Sequence, residues 1–122
     1  MIYEDDDIIL EWEESEIPWI KLFTQRPYRE LSECPEELYG KIWRVCRIVE
    51  ETMIEYFNPD KMNLASFGNY LPRVHIHLMA RFENDSYFPE PMWGTRQREG
   101  TYRMPDIGNF EKVLRSRLRS KG

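Results

Sequence analysis

Two short apolar runs near the start of the chain are separated by a run of acidic residues. The first run covers residues 8–12, the second covers residues 18–23, and residues 13–16 are mostly glutamates. Apolar runs of this length with a polar connection predict a hairpin of two antiparallel strands. Pro27 should end the second strand, because proline has no amide hydrogen to donate to a sheet.

From residue 35 to residue 57 the apolar positions recur at intervals of three and four residues. This spacing predicts a long helix with one apolar face. Pro35 fits the first turn, and Asn58 followed by Pro59 should stop the helix. The apolar positions are Leu38, Ile42, Val45, Val49, Met53 and Phe57.

Two further strands are predicted after the helix. Residues 61–67 predict a third strand, and Gly68 with Asn69 indicates a turn. Residues 74–82 predict a fourth strand, because apolar and polar positions alternate there and should separate onto opposite faces. One face carries Val74, Ile76, Leu78 and Ala80 and should pack on the long helix, and the other carries Arg73, His75, His77, Met79 and Arg81.

The last part of the chain predicts a loop followed by a short helix. Residues 83–103 are rich in Pro, Gly, Asp and Asn, which is typical of an ordered loop. Asn109 is placed to cap a C-terminal helix whose apolar face contains Phe110, Val113, Leu114 and Leu118. Together the elements predict an α+β fold, an antiparallel sheet with helices on one face.

Composition and charge narrow the classes of protein and partner. Hydrophobic residues make up 41% of the 122 residues and aromatic residues 14%, which favours one packed domain. No apolar run approaches the roughly 20 residues that span a bilayer, so no membrane partner is expected. The first residues are acidic where a signal peptide is basic, so we expect a cytoplasmic protein. A net charge of −5 disfavours a nucleic acid polymer as partner.

The two cysteines do not indicate a metal site. Cys46 falls within the helical pattern and should be a small core residue, and Cys34 has no nearby histidine in the sequence. Zinc sites need a characteristic spacing of Cys and His ligands, which this chain lacks. We therefore expect no zinc site at the cysteines.

The predicted fourth strand contains both histidines of the chain. His75 and His77 should share one face, with side chains about 7 Å apart along the strand. Arg73 and Arg81 share this face, and such a row of groups would be repulsive unless an anion lies among them. A phosphate is suitable, because Arg and His donors bind its oxygens. A neutral histidine can also attack phosphorus and form a phosphoramidate that water hydrolyses.

Two other interpretations fit these residues when they are taken alone. His75 and His77 can be structural residues that alternate with core positions. They can also chelate a metal ion, since two histidines on one strand face present ring nitrogens to the same side. No third ligand is evident in the sequence for that role.

The residues around the histidines resemble a known family. Residues 62–82, MNLASFGNYLPRVHIHLMARF, resemble the histidine triad (HIT) superfamily of nucleotidyl hydrolases and transferases. They are most similar to a bacterial branch in which a GN turn precedes the histidines and AR follows them. Residues 87–94, YFPEPMWG, resemble the WP-x-PxWG segment of that branch, and residues 17–22, IPWIKL, resemble its second strand.

The resemblance covers about residues 8–94 and implies a HIT-like fold for the chain. It implies a single domain over residues 1–122, with residues 95–122 forming a C-terminal loop and helix. Family members are usually homodimers whose sheets join across the two-fold axis, so a homodimer is expected.

The resemblance also implies roles for the residues of the histidine strand. The family pattern is His-φ-His-φ-His-φ-φ, where φ is hydrophobic, and it falls on Arg73, His75 and His77. The middle position is the nucleophile that attacks the α-phosphorus, which implies that role for His75. The third position binds phosphate oxygens through its side chain and orients the nucleophile's ring through its backbone carbonyl, which implies those roles for His77.

Further phosphate-binding positions follow from the same resemblance. Asn63 matches a polar residue that contacts the phosphates, and Gly68 and Asn69 match the turn that approaches the α-phosphate. Arg73 stands where the first histidine is expected; its fork could bind a phosphate oxygen, but it cannot supply a proton as histidine does. The upstream histidine that the superfamily often carries is missing, and Trp19 or a neighbour occupies that region.

For function, the resemblance implies hydrolysis of a nucleoside phosphoanhydride or phosphoramidate, such as a dinucleoside polyphosphate, through a covalent nucleotidyl–His75 intermediate. The resemblance implies no metal at the histidines and no cofactor, although a polyphosphate substrate can bring magnesium. Loss of the first triad histidine keeps open a second hypothesis, a non-catalytic nucleotide-binding or sensor module on the same fold.

Overall fold

The computed structural model describes the chain from Met1 to Gly122 and contains the α+β fold that the sequence predicts. One antiparallel sheet of five strands in the order β1-β2-β3-β5-β4 is accompanied by two helices. The strands are β1 (Tyr3–Glu4), β2 (Ile8–Trp12), β3 (Trp19–Thr24), β4 (Lys61–Ala65) and β5 (His75–Arg81), and the helices are α1 (Glu36–Phe57) and α2 (Gly108–Lys121).

The histidine strand β5 lies inside the sheet. It pairs antiparallel with β3 on one side and with β4 on the other. The predicted hairpin of β2 and β3 is confirmed, with Leu10 opposite Leu22. Because β5 has a neighbour on both sides, its backbone is fixed along its length and its side chains are held at defined positions.

The long helix α1 is confirmed and covers the apolar face of the sheet. It begins at Glu36, so Pro35 occupies the capping position and not the first turn in which it was predicted. Asn58 ends the helix in the left-handed conformation, with φ of 49°, and its amide donates to the Ile54 carbonyl. Apolar residues of α1 join those of the sheet and α2 in one cluster that runs from Ile2 to Leu118.

Two local features differ from the sequence-based expectation. Strand β1, which pairs Tyr3 with Leu10, was not predicted, because two residues are too few to show a period. The prediction that Asn109 caps the second helix is wrong, since α2 begins at Gly108 with Ile107 at the capping position and no side-chain cap. Phe110 is fully buried against Phe57, and this packing fixes the start of α2 without a polar cap.

Both faces of β5 are covered towards its end. Ile76, Leu78 and Ala80 face the core, as predicted, and are buried. Met79 and Arg81 on the opposite face are also buried, because the segment after β5 folds back and the Glu90 carbonyl accepts a hydrogen bond from Arg81. The histidine face is therefore open at its beginning, around His75, and closed at its end.

Candidate active site

The site is built on the paired strands β3 and β5. The register places Phe23 opposite His75 and Lys21 opposite His77. The two imidazole rings lie 5.0 Å apart, centre to centre, and are nearly perpendicular. Side chains of both strands thus form one surface on the face away from α1.

The His75 ring is held by a backbone carbonyl and an aromatic neighbour. Its Nδ1 lies 2.9 Å from the carbonyl oxygen of Arg73, and the Phe23 ring stacks on it at 5.2 Å. A carbonyl oxygen can only accept, so Nδ1 carries the proton and Nε2 of the neutral ring keeps a free lone pair. Free Nε2 is the nitrogen that a nucleophilic histidine needs.

The carbonyl that orients His75 differs from the one expected. The resemblance implied that this contact comes from the backbone of His77, but in the structure it comes from Arg73. Arg73 lies two residues before the start of β5, outside the paired strand, so its carbonyl is not used in the sheet. The carbonyl of His77 belongs to a strand that pairs on both sides.

His77 carries the opposite tautomer. Its Nδ1 lies 3.0 Å from the indole Nε1 of Trp19. An indole N–H only donates, so Nδ1 accepts and the ring proton is on Nε2. Burial lowers the pKa of His77 to about 4, helped by the neighbouring His75 and Lys21 and opposed by Glu13. His77 is therefore a neutral hydrogen-bond donor at physiological pH.

A cavity of about 540 Å³ lies over the two histidines. The predicted turn residues Gly68 and Asn69 line it together with His75 and His77. Gly68 adopts φ of +69°, a left-handed conformation that strains other residues. The remaining lining residues are Glu13, Glu14, Trp19, Phe67, Tyr70, Leu71 and Trp93.

Arg73 and Asn63 do not line this cavity. The Arg73 guanidinium donates to the Thr24 carbonyl and lies over the Phe23 ring at 5.4 Å, while its Nε is buried without a partner. The Asn63 side-chain oxygen accepts from Arg81 at 2.9 Å and lines a neighbouring hollow. The structure thus brings the predicted histidines and turn together in one cavity. The side chains of Arg73 and Asn63 are instead hydrogen-bonded to other residues of the protein.

Arg81 has a protein anion as its partner. The sequence suggested a phosphate among the cationic groups, but the Arg81 guanidinium pairs with Asp85 at 3.0 Å, and both side chains are almost completely buried. Burial would raise the pKa of Asp85, but hydrogen bonds from Arg81 and from three backbone amides lower it. Those amides belong to Phe82, Tyr87 and Phe88, so the pair anchors the segment that leads to Trp93.

Several residues of the site were not assigned a role from the sequence. Trp19, Lys21 and Glu13 surround His77, with Lys21 Nζ 3.2 Å from a Glu13 carboxylate oxygen. Trp93 packs edge-on against His77 at 4.9 Å. The period-2 alternation of β3 contained the signal for Trp19 and Lys21, but their position beside His77 depends on the register between strands that are distant in sequence.

The site and fold identify the class of protein. Residues 1–84 match the family model of the HIT domain. This match covers more than half of the chain, so the chain belongs to the HIT domain family, and the resemblance predicted from its motifs is confirmed. No curated protein matches the chain.

Solved structures of histidine triad proteins are similar over nearly the whole chain. A protein from Marinobacter aquaeolei VT8 is 27% identical with a TM-score of 0.78, and 99% of this chain and 89% of that one are covered. A protein from Bradyrhizobium japonicum is 26% identical with a TM-score of 0.66, covering 94% and 90%. A third, from Sinorhizobium meliloti 1021, is 23% identical with a TM-score of 0.63, covers 88% and 76%, and supports the fold.

No three His, Cys, Asp or Glu side chains come together in an arrangement that could hold a metal ion. Neither helix has the length and apolar character needed to cross a bilayer.

Asp85→Asn should destabilise the chain by about 3–5 kcal/mol at pH 7, because it leaves the buried Arg81 guanidinium without its anion. The pKa of folded Asp85 is below its usual value of 3.8, so the stabilisation is present above that pH and is lost as pH falls through the folded pKa. Urea unfolding at pH 7 and near pH 3 measures both effects.

The exposed Asp106 provides the control for this experiment. Asp106→Asn should change the free energy of unfolding by less than about 0.5 kcal/mol. Equal losses in the two variants would contradict the role given to Asp85, as would a difference between wild type and Asp85→Asn that does not shrink in acid.

Proposed function

We propose that this chain is a HIT-type hydrolase that cleaves a nucleoside phosphoanhydride or phosphoramidate, such as a dinucleoside polyphosphate. The supporting observation is the pair of opposite tautomers: His75 keeps a free Nε2 lone pair, and His77 presents an Nε2–H donor in the same cavity. A nucleophile beside a neutral donor is the arrangement that attack on a phosphoryl group requires.

The reaction proceeds in two steps. His75 Nε2 attacks the α-phosphorus, a P–N bond forms, and the bond to the leaving group breaks with its electron pair on the leaving atom, which takes a proton from water. Water then attacks the same phosphorus and releases a proton to the solvent, the P–N bond breaks with its electron pair returning to Nε2, and His75 regains its neutral form while the nucleotide leaves. The His77 Nε2–H donates to a phosphoryl oxygen in both steps. Gly68 and Asn69 line the same cavity, and their backbone amides would donate to further oxygens of the phosphate.

The aromatic side of the cavity suits a nucleobase. Phe67 and Trp93 pack against each other at 4.8 Å, and their side chains are 56% and 48% exposed. Aromatic surfaces of this kind stack on bases, each contact contributing about 1–3 kcal/mol. We propose that the base lies on this side and the phosphates lie over the histidines.

A second function on the same fold is a non-catalytic nucleotide-binding or sensor module. One observation favours it: no arginine or lysine lines the cavity, because Arg73 is held by Thr24 and Lys21 is paired with Glu13. A leaving group is therefore not stabilised by a free side-chain cation. This module would bind nucleotides at micromolar concentration and release them unchanged.

We also propose that the chain forms a homodimer through β4. This strand is at the sheet edge, so one side of its backbone has no strand partner within the chain. Leu64 in the middle of β4 is 40% exposed. An open edge with an exposed apolar side chain is suited to pairing with a second copy.

His75→Ala should lower turnover by about 10³-fold or more, because the nucleophile is removed. Hydrolysis of a panel of adenosine phosphoramidates and dinucleoside polyphosphates measures this loss, and circular dichroism checks the fold. Acid-sensitive nucleotidyl mass on the peptide that contains His75 should appear in the wild type after rapid quenching. Binding of the panel without turnover by the wild type would favour the sensor module, and turnover retained by His75→Ala would remove the covalent mechanism.

Arg73 remains a predicted phosphate ligand, and this role requires its guanidinium to leave the Thr24 carbonyl. Arg73→Met keeps an apolar stem over Phe23 and removes the charge. If Arg73 binds phosphate, the Kd for a nucleotide should rise about tenfold or more, as expected for loss of a charged hydrogen bond. The exposed Arg26→Met is the control for net charge. An unchanged Kd together with a lower midpoint of unfolding would assign Arg73 to structure.

Leu64→Lys should weaken the dimer by introducing like charges at the paired edge. Sedimentation equilibrium should give a dimer for the wild type and a lower average mass for Leu64→Lys at the same concentration. Ile54→Lys, at an exposed position on α1, is the matched control and should stay dimeric. A monomeric wild type would contradict the proposed dimer.

A further inference from the structure

The hydrogen bond from Trp19 to His77 fixes one ring by another. The indole Nε1 is 3.0 Å from His77 Nδ1, and the two rings meet edge to face with centres 5.6 Å apart. Trp19 is also packed edge-on against Trp93 at 5.1 Å. The indole therefore lies between two rings and has little freedom to turn its N–H elsewhere.

The backbone next to Trp19 is fixed as well. The carbonyl of Pro18 accepts a hydrogen bond from the Ala80 amide, and Trp19 is paired with Met79 in the sheet. The donor atom is thus carried by a strand whose position relative to β5 is set by the ladder itself. This makes the bond a property of the fold, present before a substrate arrives.

An indole donor acts on a histidine in two ways. A neutral imidazole exists in two tautomers, and a donor facing Nδ1 permits only the tautomer with its proton on Nε2. Protonation of the ring would place a second N–H against the indole N–H, so the donor also opposes the imidazolium. A carbonyl or carboxylate oxygen in the place of the Trp19 N–H would instead hold the ring proton on Nδ1 and would favour the imidazolium.

We propose that Trp19 is a positioning residue, which acts through His77 by holding it as a neutral Nε2–H donor to a phosphoryl oxygen. The inference rests on the proposed function, since it assigns the direction of a hydrogen bond within that site. Trp19 makes His77 unsuited to shuttling protons, because Nδ1 is occupied and cannot exchange its role with Nε2. His77 then orients and stabilises the phosphoryl group, and water supplies the protons of the reaction.

Of the charged groups that affect the pKa of His77, all except Glu13 lower it. His75 on β5 and Lys21 on β3 lower its pKa in addition to burial, and Glu13 from the β2–β3 connection raises it. Glu14 lines the same cavity. Arg81, further along the same face, is neutralised by Asp85.

The inference is tested by comparing two matched variants, Trp19→Phe and Trp93→Phe. Both tryptophans pack edge-on against His77, but only Trp19 donates to it. The side-chain nitrogens of His77 are followed by ¹⁵N NMR from pH 4.5 to pH 8 in the full-length chain. In the wild type and Trp93→Phe we expect the neutral ring to be the Nε2–H tautomer alone across this range.

In Trp19→Phe, water reaches Nδ1 and the two tautomers should mix. The midpoint of His77 titration should rise by about one pH unit, towards the value of a solvated histidine. A wild-type-like His77 spectrum in Trp19→Phe would overturn the inference, and so would equal changes in the two Phe variants.

A measurement on the wild type keeps the inference testable if Trp19→Phe does not fold. Scalar coupling across the hydrogen bond between Trp19 Nε1 and His77 Nδ1 should be detectable, and its absence with a protonated Nδ1 on His77 would overturn the inference. These spectra need no substrate, so they are independent of turnover. If His75 proves not to be a nucleophile but the tautomer result holds, the proposed function fails and the role of Trp19 in setting the ring stands.

Discussion

The site depends on the antiparallel register between β3 and β5. This register places Lys21 beside His77 and Phe23 beside His75, and it brings the Trp19 indole within reach of His77. Side chains alternate along a strand, so a slip of one residue would send all three β3 side chains into the core and apolar residues to the cavity. The register is enforced from the other face, where Ile20 and Leu22 pack opposite Leu78 and Ile76 in the core.

A buried ion pair completes the site from the far end of β5. Arg81 and Asp85 lie on the histidine face, yet they are withdrawn from solvent, which is tolerated because each satisfies the other and Asp85 also accepts backbone amides. The pair fixes how the chain leaves the sheet and returns over it. Trp93 can then contact both His77 and Trp19. The cationic strand face therefore has two parts, a neutralised structural part and an open part that contains the histidines.

The sequence predicted those features whose signal is local. The period of α1, the alternation of β5 and the Gly68 turn depend on neighbouring residues, and the structure contains all of them. The partners of the histidines could not be predicted in the same way. Trp19 and His77 are 58 residues apart, and nothing in the composition of either strand states which residues face each other. The cap of α2 was misplaced for a related reason, since burial of Phe110 outweighed a local polar preference.

The presence of an arginine at the first position of the triad pattern has a physical explanation in the strand geometry. The contact that residue 73 makes with the His75 ring comes from its carbonyl oxygen, which every amino acid provides. This contact therefore does not depend on which side chain residue 73 carries. Here the side chain is an arginine whose guanidinium covers Phe23, and Phe23 in turn stacks on His75. Position 73 thus contacts the His75 ring directly through its backbone, and its side chain reaches that ring only by way of Phe23.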